Sequence, residues 1–371
     1  MNKLNLGLLF GGRSGEHEVS LQSARSIASA LDRDKFNLYL IALDKEGRWY
    51  LADESEYLEN ADDPSVISLK VTKDQQVAII PGENGNVVFN LAQKKDIVSL
   101  DVAFPIIHGT FGEDGSLQGY MAMMNIPCVG ADVLGSSVGM DKVLGKDLLI
   151  RAGVPVADYI VADESSDPEE TRNEVEIKFT YPVFVKPSCS GSSVGVIKVE
   201  QGEQLMPAVK KALSYDSRVL IEEAIAGREI ECAVLGNENL IASIPGEIIP
   251  THSFYSYEAK YIDEKGARLE LPANISEEIQ QKVKELAKKT YKALSCSGMA
   301  RVDMFLTTEG ELILNEINTL PGFTMISMYP KLMELSGIPY TELLTRLVDL
   351  AIQRHKKKED QLRNVLSAGS Y

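Results

Sequence analysis

An apolar run from Lys3 to Phe10 closes in Gly11-Gly12. After a short loop, Val19, Ala24, Ile27, Ala28 and Leu31 mark one face of a helix. Two more unbroken apolar runs, FNLYLIAL and VAFPII, come after it. Strands buried on both faces read as continuous apolar runs, and parallel neighbours need a helical crossover between them. Strand, glycine turn, helix and strand therefore predict a parallel α/β domain ending near Pro127. Residues 44–100 are polar and turn-rich, and read as a peripheral insertion with short edge strands.

Beyond that point the pattern changes. Val138 to Arg151 has helical periodicity, and Gly153 with Pro155 punctuates its end. YPVFVKP and GVIKVE read as strands joined by SCSGSSV; a helix (Glu203 to Leu213) and the strand RVLIEE complete a β-rich unit. A third unit opens with GREIECAVLG and runs through the loop HSFYSYEAKYIDEKG. It continues in an amphipathic helix that puts Ile279, Val283, Leu286, Thr290 and Leu294 on one face. The strands MARVDMFL and ELILNEIN follow, then a helix from Leu343 to His355; the tail beyond is open between helix and disorder.

Charge narrows the partners. Lys plus Arg is 38 against 54 Asp plus Glu, a net charge of −16, which argues against a nucleic-acid backbone. An anionic nucleotide stays possible, because divalent cations and a few placed lysines can reverse the local field. Cys128, Cys189, Cys232 and Cys296 are scattered with no CxxC pair, as expected of reduced thiols in a cytoplasm. No apolar stretch approaches the ~18 residues of a membrane span, and the first residues read as a strand without a basic leader. A soluble, cytoplasmic protein with no membrane partner is the expectation.

Four stretches carry chemistry. LILNEINTLPGFT runs an apolar strand into Glu316, Asn318, Pro321 and Gly322. Strand alternation puts Arg301, Asp303 and Phe305 on one face and Glu316 with Asn318 on a face of the partner strand. Such hard oxygen donors suit Mg²⁺ or Mn²⁺, against the alternative of a solvated hairpin end. Lys186 precedes SCSGSSVG, whose small residues free backbone N–H groups to surround an anion, although Ser/Gly loops are also common linkers. GMDKVLGKD fails as a P-loop, having the wrong glycine spacing and Asp147 in place of Ser or Thr, and no GxGxxG is present.

GGRSGEHEVS opens a helix with Glu16 and Glu18 in its turn. That suits a cationic ligand such as an ammonium, or simple capping by acids. HEVSL lacks the second histidine of a zinc-protease motif, Leu21 holding its place. In HGTFGEDGSLQG, His108 follows a strand where α/β proteins place ligands, though a lone histidine there is more often structural.

These stretches together carry a resemblance. GGRSGEHEVS, FPIIHGTFGEDGSLQG, GMDK, VKPSCSGSSVGV, FYSYEAKY, RVD and NEINTLPGFT occur in the order found in D-alanine–D-alanine ligases of the ATP-grasp superfamily, over Leu4 to His355. The resemblance implies an N-terminal parallel α/β domain (1–130) that binds the first D-alanine. A central α+β ATP-grasp subdomain (131–222) and a C-terminal one (223–371) with a lid near 248–266 sandwich ATP. The implied reaction forms D-alanyl phosphate and then D-alanyl-D-alanine, for peptidoglycan precursors. D-serine or D-lactate as second substrate is the alternative.

Roles carry over residue by residue. Lys142, Lys186, Ser193, Glu222, Glu223, Ala224, Ile225, Glu229, Lys260, Phe305 and Asn315 are implied to hold ATP. Asp303, Glu316 and Asn318 are implied to hold two Mg²⁺ or Mn²⁺, with K⁺ a candidate activator. Glu16 would take the first ammonium with His108 nearby, and Arg301 with the Gly322 N–H would stabilise the oxyanion. Ser327 and Met328 would line the second subsite. Tyr261, linked to Ser192 and Glu16, stands where relatives that accept D-lactate carry histidine, which implies an amine nucleophile. Glu223 in place of a frequent lysine, Cys189-Ser190 in place of a charged pair, and Met328 in place of leucine depart from the pattern. A homodimer is the implied assembly.

Overall fold

In the computed structural model, which describes residues 3–82, 85–191, 194–250 and 267–368, the apolar runs pair as three principal sheets. The first holds β1 (Leu4–Gly11), β2 (Phe36–Leu43), β3 (Trp49–Ala52) and β4 (Val102–Pro105) in the order β3-β2-β1-β4. β1 is parallel to both β2 and β4, and α1 (His17–Ala30) makes the crossover. The antiparallel β3 belongs to the polar insertion, which otherwise forms its own three-stranded sheet from Val77–Gly82, Gly85–Asn90 and Lys95–Val98. Gly11 ends β1 at φ +88°, and a Cβ there would stand 2.2 Å from the Leu43 carbonyl oxygen. Only glycine fits the turn into α1.

The second sheet is antiparallel throughout, in the order β5-β8-β6-β7: β5 (Tyr159–Asp163), β6 (Val183–Pro187), β7 (Ile197–Val199) and β8 (Arg218–Glu223). The third is also antiparallel. Its order is β11-β10-β9-β12-β13, from β9 (Gly227–Leu235), β10 (Gly246–Pro250), β11 (Ala267–Glu270), β12 (Met299–Thr307) and β13 (Leu312–Asn318). One face of that sheet packs Ile230, Cys232, Val234, Val302, Met304 and Leu314 against the long helix Glu277–Ala293. Strand alternation then sends Glu229, Glu231, Arg301, Asp303 and Phe305 to the other face.

Where one helix is expected between Val138 and Arg151, two occur: α2 (Val133–Met140) and α3 (Lys142–Arg151). Asp141 breaks them, because its Oδ1 accepts from the N–H groups of Val143 and Leu144 and so caps the second helix. α3 joins two units. Leu149 packs in the core of the third sheet, while Lys142 and Lys146 reach toward the second. A further core unites the first sheet with the chain's last helices: Leu8, Phe10 and Phe104 pack with Phe323, Tyr329, Leu332 and Leu347. Burying a side chain such as Phe323 contributes roughly 1.5–3 kcal/mol. The last helix, Tyr340–Ala368, continues well past His355, so the tail is helical. No described helix is long and apolar enough to cross a membrane.

Candidate active site

The site is built around the polar face of β9, β12 and β13. Across these strands Glu231 lies opposite Asp303, and Asp303 opposite Glu316; two pairs further along, Ala233 faces Arg301, and Arg301 faces Asn318. Arg301 donates from Nε to Asp303 Oδ1 at 2.8 Å and from Nη2 to Oδ2 at 2.6 Å, and its Nε is 3.0 Å from Glu231 Oε2. A fork of this kind holds the guanidinium plane fixed, because both parallel bonds must break for it to turn.

The β12–β13 register slips between Asp303 and Met304: Asp303 pairs with Glu316 and Met304 with Leu314, leaving Asn315 without an opposite residue. This bulge lets both Asn315 and Glu316 avoid the core side, which Leu314 and Ile317 fill. Asn315 Oδ1 lies 3.5 Å from Lys186 Nζ at the end of β6. Lys186 Nζ in turn donates to Glu222 Oε2 at 2.6 Å, on the neighbouring β8. The third sheet therefore meets the second through a lysine.

Asp141 ties the small-residue loop to α3. Besides capping the helix it accepts from Ser188 Oγ at 2.7 Å and from Arg218 Nη2 at 2.6 Å. Burial works against the charged form of Asp141, but the hydrogen bonds from Ser188 and the backbone, with Arg218, hold it below the ordinary carboxylate range. Lys142 Nζ donates to the Ser190 carbonyl at 2.5 Å, so the same helix fixes both ends of the loop's first half.

On the first sheet, buried Glu16 stands at the start of α1. A Cβ on Gly109 would lie 3.0 Å from Glu16 Oε2, and one on Gly191 would lie 3.3 Å from it. The carboxylate thus sits between the loop after β4 and the small-residue loop of the second sheet. His108 is buried beside it: Nδ1 donates to the Leu320 carbonyl at 3.0 Å and lies 3.6 Å from Glu113 Oε1. Its Nε2 is 3.3 Å from Ser23 Oγ, which also accepts from the Phe323 N–H at 3.3 Å. Ser327 Oγ accepts from the Thr324 N–H at 3.0 Å, and a Cβ on Gly322 would lie 2.9 Å from that oxygen.

With this geometry in place, the comparisons are specific. Sequence profiles described as "D-ala D-ala ligase N-terminus" and "D-ala D-ala ligase C-terminus" match residues 5–131 and 148–349. The D-alanine–D-alanine ligase of Oceanobacillus iheyensis is 52% identical over 368 residues, 99% of this chain and 100% of that one. The chain belongs to the D-alanine–D-alanine ligase family. Among solved structures, the D-alanine–D-alanine ligase of Coxiella burnetii superposes with a TM-score of 0.87 at 37% identity, covering 100% of both chains. The VanG D-Ala:D-Ser ligase of Enterococcus faecalis superposes at 0.82 with 35% identity, over 94% of this chain and 100% of that one.

Within this ligase fold, most residues singled out from the sequence are found along one cleft. Asp303, Glu316, Asn318, Asn315, Phe305, Glu229 and Arg301 lie on the polar face of the third sheet, and Lys142, Lys186, Glu222 and Glu223 on α3 and the second. Glu223 Oε1 accepts from the Asp158 N–H at 2.9 Å, and half-buried Ala224 and Ile225 follow the strand end. Met328 is 5% exposed, and its side chain packs in the core with Phe323 and Leu332 at the start of the helix Met328–Leu335. Ser192, Ser193, Lys260 and Tyr261 lie outside the described residues, as does the lid between 251 and 266.

Four residues were missed: Glu231, Ser23, Lys146 and Asp141. Glu231 was legible in principle, since it shares strand parity with Glu229 in GREIECAVLG. Asp141 follows the helix N-cap rule inside GMDK. Ser23 and Lys146 carry no sequence signal, because each acts through a residue brought near only by folding.

The donor set fits a hard divalent ion. Asp303, Glu316 and Asn318 offer two carboxylates and a carboxamide on adjacent strands, and Asp303 is 8% exposed. Among the described residues no three His, Cys, Asp or Glu side chains are grouped to hold a metal by themselves. Mg²⁺ takes one or two carboxylates and completes its shell with phosphate oxygens and water.

Proposed function

We propose that this chain joins two D-alanines to D-alanyl-D-alanine with ATP, through a D-alanyl phosphate, for peptidoglycan precursor synthesis. The observation that carries the reading is the row of Asp303, Glu316 and Asn318 beside the fixed guanidinium of Arg301, with Lys186 above it at Asn315. Membership of the ligase family supports it. On this reading the N-terminal unit (1–130) binds the first D-alanine, and the units 131–222 and 223–371 clamp ATP between the second and third sheets.

Lys142 and Lys186 bind phosphate oxygens, Glu222 to Ile225 receive the adenine, and Glu229 the ribose. Two Mg²⁺ or Mn²⁺ ions, held by Asp303, Glu316 and Asn318, neutralise phosphate charge when bound, with K⁺ as activator. Glu16 takes the ammonium of the first D-alanine in the crevice between the Gly109 and Gly191 loops, with His108 beside it. The carboxylate of that D-alanine attacks the γ-phosphate and ADP leaves; phosphoryl transfer needs mainly alignment and charge neutralisation, which the lysines, Lys260 among them, supply. The second amine attacks the acyl carbon, Arg301 with the Gly322 N–H receives the developing oxyanion, and phosphate leaves as the amide forms. Ser327 and the Met328 backbone face the second D-alanine, and Tyr261 and Ser192 shut the lid over the acylphosphate. The chain works as a homodimer in the cytoplasm.

D-serine as second substrate is the other reading, supported by the likeness to the VanG D-Ala:D-Ser ligase. Relatives near 50% identity bear D-alanine–D-alanine names, which favours D-alanine. Phosphate release from ATP with D-alanine, D-alanine plus D-serine, D-alanine plus D-lactate, or L-alanine, with product masses, tests it. D-alanyl-D-alanine should be the main product, and none should form from L-alanine. A mixed product in preference, or no turnover, would sink the reading.

A further inference from the structure

Glu222 is a buried carboxylate with two lysines on it. Lys186 Nζ lies 2.6 Å from Oε2 and Lys146 Nζ 3.3 Å from Oε1, while the Glu222 side chain is 4% exposed. The two cations are not equivalent. Lys146 is 5% exposed, donates also to the Ala157 carbonyl at 3.1 Å, and lies 5.5 Å from the centre of the Tyr159 ring. Tyr159 is held in turn by donating to Asp147 Oδ1 at 2.5 Å. Lys146 is therefore fixed on every side by α3 and β5. Lys186 is 17% exposed, and its other contacts are long, 3.5 Å to Asn315 Oδ1 and 6.0 Å to the centre of the Phe184 ring. It can turn toward the cleft.

A buried carboxylate is tolerated only while a counter-charge remains beside it. If Lys186 were its sole partner, moving to a phosphate would strand Glu222, and the carboxylate would compete with the nucleotide for that lysine. We propose that Lys146 is a positioning residue, the permanent counter-ion of Glu222 whose presence releases Lys186 to the phosphates of a bound nucleotide. Burial, with the charge of Lys186, holds the Lys146 ammonium below its ordinary range against the opposing charge of Glu222. Glu222 in turn is held below the ordinary glutamate range, against its burial, by both lysines. The three groups form one charge unit, of which only the outer lysine is free to leave. The inference rests on the ATP reading given above and adds to it a residue that touches no substrate.

The test is a double-mutant cycle on Mg·ADP binding, measured by calorimetry on the full chain. Lys146→Met should weaken Mg·ADP at least about tenfold, and raise KM for ATP while leaving KM for D-alanine unmoved. Lys146→Met combined with Glu222→Gln should bind Mg·ADP more tightly than Lys146→Met alone, and within about threefold of Glu222→Gln. Replacing both members of a buried pair leaves no stranded charge, so the double variant folds even where the single one does not. In that case the comparison of the double variant with Glu222→Gln alone decides. Equal affinities support the handover, and a double variant tenfold weaker than Glu222→Gln overturns it. Losses that add across the cycle also overturn it, since Lys146 would then not act through Glu222. Failure of the unaltered chain to bind Mg·ADP would instead remove the ATP reading, and this inference with it.

Discussion

Arg301 and Asp303 stand two residues apart on one strand and bind side by side, Nε to Oδ1 at 2.8 Å and Nη2 to Oδ2 at 2.6 Å. The same guanidinium reaches Glu231 at 3.0 Å, so one cation compensates two carboxylates on a largely buried face. The residue proposed to receive the oxyanion thus also holds in place a carboxylate proposed to ligate metal.

Arg301→Ala should therefore act twice. Removing an oxyanion donor lowers turnover by about 10²–10³. It also removes the guanidinium beside buried Glu231, and breaking a buried pair from one side costs about 3–5 kcal/mol. Arg301→Ala with Glu231→Gln should recover most of the melting temperature and none of the turnover. Recovery of turnover in the double variant would remove the oxyanion role.

Gly109 lies at φ +73°, and a Cβ on it would press on Glu16 Oε2 at 3.0 Å. Gly109→Ala should raise KM for the first D-alanine about tenfold or more, the effect of about 1.4 kcal/mol of lost binding, and leave KM for ATP unchanged. Steady-state kinetics with each substrate varied in turn would show this. An equal rise in both constants would mean that Glu16 does not hold the amino acid.

Ser23 accepts from the Phe323 N–H and lies against His108 Nε2, linking the turn after β13 to the first sheet. Ser23→Ala leaves that buried N–H unsatisfied, at a cost of about 1–3 kcal/mol. The melting temperature should fall, and KM for the second D-alanine should rise more than KM for the first, because Gly322 precedes Phe323. Unaltered stability and kinetics would show the link to be idle.

The histidine supplies a pH dependence. Burial disfavours the charged form of His108, but donation to Glu113 and the charge of Glu16 outweigh it and raise its pKa above the ordinary 6.5. A raised folded-state pKa contributes stability that is complete below pH 6.5 and is lost as pH rises through the raised value. Glu113→Gln should flatten that part of the curve. Thermal melts across this range, compared between the two proteins, should differ most below pH 6.5 and converge only above the raised value. Parallel curves would rule out the pair as the source.

Much was written locally. The strand–diglycine–helix start, the alternation that gathers Arg301, Asp303 and Phe305, and the breaks at Gly153 and Pro155 follow from periodicity and backbone sterics, which depend on near neighbours alone. The bulge was not legible. Strict alternation sends Asn315 to the face opposite Glu316, and only the slipped register against Met304 puts both off the core side. The helix break at Asp141 had only its N-cap chemistry inside GMDK for a signal, set against a helical periodicity that runs on from Val138 to Arg151.

The sequence by itself determined which strands exist, which faces carry carboxylates, and that a family's motifs run along the chain in order. Tertiary structure decided the pairings between distant groups: Lys146 and Lys186 sharing Glu222, Ser23 meeting Phe323, Glu16 enclosed by Gly109 and Gly191, Met328 turned into the core. The reason is physical. Periodicity fixes the direction of a side chain from its own segment, whereas the charge it must neutralise or the space it must fill belongs to another segment, set only when the cores close.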